Sequence, residues 1–421
     1  MTSDDHAAGY KAFGEFYNQL RSAHHEQYRS KPHTKVRDQV AFDEQKHHLL
    51  SLYDGVTVAH SFVDSNGQTF DCIPIDQQPA LKKSGRTLAH PPNVPRPQGL
   101  PPPAPQGPSP TLMLHPDRKD RLGNAMSCPP GTVAIRRITL DEMTRFETLG
   151  HFLRKTPGRS GHGTPTAAPD AANASGPAHE YAHAWQTIDN LGGHSFLNIW
   201  QPGIAADQTF SLSQQWYVAT GTAGVQTAEV GWQVFPQKYG HDKPVLFTYW
   251  TADGYQHTGS YSTDAGDFIQ YSPTCPVGIA LDTISVAGGA QAEVEVTFLL
   301  SGGNWWLFIN GTDTQHAVGY YPTSLYQNGP MATQATEIDY GGETVGNTSY
   351  PPMGSGAFAN QGTGNAAYQR NIYYFPPTGG AQQAALTPAE QWPTSYTIQV
   401  QQSNEWGESF YFGGPGGAAP A

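Results

Sequence analysis

The sequence predicts an all-β, antiparallel sandwich or jelly roll preceded by a small α+β domain. Three observations carry this expectation. From His179 onward the chain is a succession of short runs rich in Tyr, Trp, Val and Thr, among them EVGWQVFP, VLFTYWTADG and WWLFING, broken by Gly, Asn-Gly and Asp-Gly. No helical stripe of useful length interrupts them, which is the pattern of stacked sheets. The charge also divides: residues 1–178 hold 20 of the 23 Lys and Arg and 17 of the 35 acids, a balance of +3, whereas residues 179–421 set only Lys238, Lys243 and Arg370 against 18 acids, a balance of −15. Such asymmetry argues for two functional units.

Taken in order, residues 8–53 read as two helices. In the first, Tyr10, Phe13, Phe16, Tyr17 and Leu20 recur at helical spacing. Alternation from Val56 to Ile75 around Asn66-Gly67 predicts a hairpin. These elements make an N-terminal part, 1–89, of the small domain. A proline-rich linker, 90–110, follows and cannot carry a core. The second part, 111–155, predicts a strand around Val133 to Arg137 and then a helix capped by Thr139, with Glu142 three residues on. Residues 156–178, TPGRSGHGTPTAAPDAANASGPA, form a second linker. The β-rich domain is assigned to 179–375, and 376–421 to a low-complexity C-terminal extension.

Composition excludes several functions. Three cations cannot build a basic groove for nucleic acid on the acidic half. No run reaches the roughly 18 apolar residues of a membrane span, and the N-terminal MTSDDHAAGYKAFGEFY shows no apolar core of a signal peptide. Cys72, Cys128 and Cys275 allow one disulfide at most. The 17 histidines form no helical metal motif in 179–375, so no metal or other cofactor is expected. The serine of MGSGAF lacks the context of a nucleophile elbow.

Two glutamates stand out in this charge-poor chain. In EVGWQVF, alternation puts Val230, Trp232 and Val234 on one face and Glu229, Gly231 and Gln233 on the other. In TEIDYGGE, Glu337, Asp339, Gly341 and Glu343 share a face. A glycine gap beside an acid suits an extended ligand lying on the sheet. Either the two glutamates face solvent separately, or they meet across a concave face. In the second case one proton can be shared, giving a base for water and an acid for the leaving group. Glu337 and Glu343 lie roughly 20 Å apart along one strand and cannot both serve one pair.

Over both halves the chain resembles the neprosin family of glutamic endopeptidases. DGVTVAHSFVDSNGQTFDCIPIDQQPAL and CPPGTVAIRRITLDEM resemble its activation-peptide signatures. EVGWQVFP, FTYWTADGYQHTGSY, GNWWLFIN, GYYP, IDYGGETVG, MGSGAF and NIYYF follow the family's order and spacing. The resemblance implies a sandwich with a concave cleft and cleavage on the carboxyl side of proline at low pH by Glu229 and Glu343, without metal. It also implies proline-containing peptides or unfolded proteins as substrates and export from the cell. Gln233 would hold the oxyanion, and Tyr249, Trp250 and Tyr255 would floor a proline pocket. The basic N-terminal domain would act as an intramolecular inhibitor, released by cuts after Pro157, Pro165, Pro169 or Pro177. Two other readings fit the residues. One is a β-sandwich glycoside hydrolase, although the close-spaced acids usual on one strand are absent. The other is a non-catalytic binding module for carbohydrate or protein.

Overall fold

In a computed structural model, residues 10–94, 114–155 and 178–418 are described. The N-terminal domain begins with α1 (Phe13–Ser22), the one-turn α2 (Glu26–Arg29) and α3 (Gln39–Tyr53). The expected pair of helices is thus three pieces. Phe16 and Leu20 bury the stripe of α1, and the Asp38 carboxylate caps α3 by accepting from the Ala41 amide at 2.9 Å. β1 (His60–Val63) and β2 (Thr69–Pro74) form the expected hairpin. In its turn, Asp64 accepts from the Asn66 and Gln68 amides and Gly67 takes φ +87°. Then come α4 (Pro79–Ser84), β3 (His115–Lys119), β4 (Ala125–Met126) and β5 (Thr132–Arg136), with β5 joining β2. Thr139 and Glu142 make the capping box of α5 (Leu140–Met143), and α6 (Leu149–Leu153) follows. A Cys72–Cys128 disulfide ties the two parts of this domain across the proline-rich segment, while Cys275 is free and buried.

The second domain supplies β6 (Ala178–Asn190), β7 (Gly192–Asn198), β8 (Gln208–Gly221), β9 (Gly224–Val234), the short α7 (Pro236–Tyr239), β10 (Val245–Thr251), β11 (Ser260–Tyr261) and β12 (Ile269–Gln270). It continues with β13 (Glu293–Ser301), β14 (Asn304–Ile309), β15 (Ala317–Pro322), β16 (Ala335–Gly346), β17 (Ser349–Tyr350) and β18 (Ala367–Tyr374). The last strands are β19 (Gln382–Gln383), β20 (Thr387–Glu390), β21 (Thr397–Ser403), β22 (Gly407–Gly413) and β23 (Gly417–Ala418). Among the described residues, one sheet has the order β11-β10-β9-β8-β16-β6-β20 and the other the order β12-β15-β14-β13-β7-β18-β22-β21. The pairings that build both are antiparallel. This is the expected sandwich. The C-terminal region is not a separate extension, because β20 closes the first sheet beside β6 and β22 extends the second beside β18. Tyr396, Phe410 and Phe412 in that region are fully buried, so hydrophobic burial holds it to the domain despite its Gly-rich composition.

The parity read from the sequence holds. Val230, Trp232 and Val234 face the interior with Val294, Val296, Phe298, Trp305 and Leu307 of the opposing sheet. On the outer face of the first sheet, Phe210, Leu212, Phe247 and Tyr249 pack under Phe42, Leu49, Phe146 and Phe152 of the N-terminal domain. Basic residues of that domain meet acids of the second: Arg136 with Asp264 at 3.3 Å, Lys83 with Asp267 at 2.5 Å and Arg118 with Asp282 at 3.4 Å. The apolar cover seats the N-terminal helices on the face that carries the glutamates, and the ion pairs add to the hold between the two domains.

Candidate active site

Glu229 on β9 and Glu343 on β16 lie on either side of β8. Their levels on the sheet differ: Glu229 is paired with Trp216, and Glu343 with Leu212. Between those levels sits Gln214, paired with Gly231 on one side and Gly341 on the other. At Gly231 the backbones approach closely, since a Cβ there would fall 2.0 Å from the Ser213 carbonyl oxygen. The two carboxylates converge on one atom. The Lys155 Nζ, two residues beyond α6, lies 2.6 Å from Glu229 Oε2, 2.7 Å from Glu343 Oε2 and 3.0 Å from Gln214 Oε1. All four side chains are essentially buried.

Each glutamate has its other oxygen pinned. Glu229 Oε1 accepts from the hydroxyls of Thr227 at 2.8 Å and Tyr255 at 2.6 Å. Glu343 Oε1 meets His179 Nδ1 and accepts from the Tyr181 hydroxyl at 3.4 Å, while Gln214 Nε2 donates to Oε2 at 3.1 Å. A charged carboxylate only accepts, so Nδ1 of His179 carries the proton in that pair. Burial by itself pushes the Glu343 carboxyl up, but Lys155 and His179 outweigh it and hold the group at about 2. Burial lowers Lys155, and the charges of Glu229 and Glu343 more than reverse this, so its ammonium is held above the ordinary lysine range. Desolvation, followed by the charge of Glu229, pushes the Tyr255 phenol well up and keeps it a donor.

The structure brings together Glu229, Glu343 and Tyr255 from the sequence-predicted set. Tyr249 is adjacent, its hydroxyl accepting from the Lys155 amide at 3.4 Å. Gln233 shares the face, but its amide donates to the Tyr261 hydroxyl at 3.3 Å. The amide at the pair is Gln214, so the oxyanion expectation for Gln233 is corrected. Trp250 is corrected too: it is paired with Ala228, packs in the inter-sheet core and donates to Asp267 at 3.1 Å. Strand alternation forbids Tyr249 and Trp250 from lining the same face. Asp339 lies along the same strand face as Glu343, with both oxygens 2.8 Å from His183 Nδ1. Pro157, Pro165, Pro169 and Pro177 lie outside the described residues.

Sequence reasoning missed Lys155, His179, Gln214 and Thr227. Two of them carried a signal. Thr227 stands two residues before Glu229 and so shares its face, and Gln214 is a polar residue inside an aromatic strand. Lys155 and His179 flank the second linker, and only the fold joins them. Among the described residues, no group of three or more His, Cys, Asp or Glu is placed to hold a metal ion.

Residues 207–415 match the family model Neprosin. The chain carries a neprosin domain. Its matched span begins one residue before β8, so β6 and β7, which complete the two sheets, precede it. Two solved structures of scytalido-glutamic peptidase, each with a transition-state analogue, align at TM-scores of 0.30 with 8% and 9% identity. They cover 56% and 57% of this chain and 98% and 100% of theirs. SCP-B, a member of the Eqolisin family of peptidases in complex with the tripeptide Ala-Ile-His, aligns at a TM-score of 0.28 with 8% identity, over 57% of this chain and all of its own. The neprosin match supports a peptidase.

Proposed function

We propose that the chain is the latent form of an acid-active endopeptidase that cuts on the carboxyl side of proline, with Glu229 and Glu343 as its catalytic pair. One observation carries this reading: the inward oxygens of two buried glutamates, 114 positions apart in sequence, both contact a single nitrogen atom. A water in the place of the Lys155 ammonium would touch both carboxyls. Glu343, charged, takes a proton from that water as its oxygen attacks the peptide carbonyl, and Glu229, protonated, gives its proton to the carbonyl oxygen. On collapse, Glu343 returns its proton to the departing nitrogen and the hydroxyl proton of the intermediate goes back to Glu229. Gln214 and Tyr255 hold the two carboxyls through both steps.

Latency follows from Lys155, whose ammonium takes the site of the water. The neighbouring linker contains Pro157, Pro165, Pro169 and Pro177, and self-cutting there would free the lysine. Proline-containing peptides or unfolded proteins are the proposed substrates, with Tyr249 and Tyr255 beside the pair to receive the pyrrolidine ring. The Cys72–Cys128 bond suits an oxidising, extracellular setting. The test is a denatured protein digested at about pH 3, below the ordinary carboxylate range, with the peptides identified by mass spectrometry. Cuts clustered after proline, absent with Glu229→Gln, are expected. Cuts elsewhere, or cutting that survives the substitution, would overturn the reading.

A further inference from the structure

We propose that His179 is a positioning residue for Glu343, remaining against that carboxylate after Lys155 leaves and keeping it charged in acid. The inference rests on the peptidase reading above and assigns a role to a residue outside the pair. Lys155 and His179 stand at the two ends of the segment 156–177, and both reach Glu343, the lysine at Oε2 and the histidine at Oε1. Their attachments differ. Lys155 follows α6 in the N-terminal domain, whereas His179 belongs to β6 and is paired with Val345. Removal of the N-terminal domain takes the lysine away and leaves the histidine.

The ring is set for this role. It lies parallel to Tyr181, with centroids 6.1 Å apart and planes 11° apart, and edge-on to Phe210 at 6.2 Å. His179 Nδ1 meets Glu343, while Nε2 is buried with no hydrogen-bond partner among the described residues. A buried nitrogen left unsatisfied calls for a reason, and the carboxylate on the opposite side of the ring supplies one. Glu229 differs: apart from Lys155, its hydrogen-bond partners among the described residues are the neutral hydroxyls of Thr227 and Tyr255. The departure of Lys155 therefore makes the pair unequal, with Glu343 keeping a basic partner. Among the described residues, the other titratable groups facing Glu343 are Tyr181 on β6, Glu229 on β9 and Tyr261 on β11, with His183 and Asp339 farther along β6 and β16. Of these, only His183 can add positive charge, and Asp339 already holds its Nδ1.

The test uses the full chain in two ways. After incubation in acid, wild type, His179→Asn and His179→Gln are compared on a proline-containing quenched peptide across pH. The amides keep a donor and lose the charge. We expect KM within about twofold, kcat down roughly tenfold or more, and the acid limb of the rate profile moved up by about one pH unit. Coincident acid limbs would overturn the inference. Separately, carboxyl-carbon NMR of the Lys155→Met chain, with Glu343 assigned by its loss in Glu343→Gln, should show Glu343 titrating below its ordinary value of 4.5. Titration at or above that value overturns the inference even when no peptide is cleaved. Absence of turnover by wild type at every pH would sink the peptidase reading while this titration still decides the role of His179.

Discussion

The two glutamates are held in the same manner, one oxygen fixed by neighbours and one turned to the Lys155 ammonium. Thr227 and Tyr255 fix Glu229, and His179 with Tyr181 fixes Glu343. If the two act as a unit, their losses should not add. Glu229→Gln and Glu343→Gln should each lower kcat by about a thousandfold or more, and the double variant should be no worse than either; steady-state rates on the quenched peptide decide this, and additive losses would refute a shared step. Lys155 is the other sensitive point of the site. Lys155→Met in the full chain leaves two buried carboxylates facing one another without the ammonium that bridges them, and breaking such a pair typically costs about 3–5 kcal/mol. A lower urea midpoint at neutral pH is the expected result, with faster processing in acid. An unchanged midpoint would mean that the lysine does not hold the pair.

At the scale of the element, the site depends on how closely β8 lies between β9 and β16. A Cβ on Gly231 would meet the Ser213 carbonyl oxygen at 2.0 Å and the Gln214 Cα at 2.7 Å, both backbone atoms that cannot swing aside. Gly231→Ala should therefore lower the thermal midpoint and kcat together, because it moves the strand that carries Gln214; loss of stability with full activity would show that this register is not needed. Much at this scale was legible beforehand. The period of two in EVGWQVF separated core from site, and Thr139 with Glu142 announced the capping box of α5. The split of the first 53 residues into three helices was not, because α2 is a single turn with no buried residue to mark it. The fate of the C-terminal region was also hidden. Its Gly and Pro content reads as low complexity, yet Phe410 and Phe412 pack on a surface that only the finished sandwich supplies.

For the molecule as a whole, the charge split becomes an interface. Arg136, Lys83, Arg118 and Lys155 of the N-terminal domain meet Asp264, Asp267, Asp282 and the glutamate pair. Desolvation raises Asp264, but Lys238 and Arg136 lower it further, so its net direction is down, as for Glu343. A carboxyl lowered in the folded state stabilises above its ordinary pKa and loses that contribution as pH falls through the lowered one. For Glu343 the window runs from 4.5 down to about 2. Once the linker is cut, the two portions should stay together at neutral pH and separate progressively across that window. Native mass spectrometry against pH checks this, and separation that strengthens with rising pH would contradict the sign.

The sequence by itself determined the sandwich, the division into a basic and an acidic unit, and the two glutamates that stand on the outward parity of their strands. Those properties are local, written in alternation, turn residues and composition. Only the tertiary structure decided that Glu229 and Glu343 converge, that Gln214 and not Gln233 lies between them, and that Lys155 and His179 arrive from the two ends of one linker. These depend on which strands are neighbours and in what register, and on where a distant domain docks. Pairing across the sheet joins residues more than a hundred positions apart, and no local pattern encodes that distance.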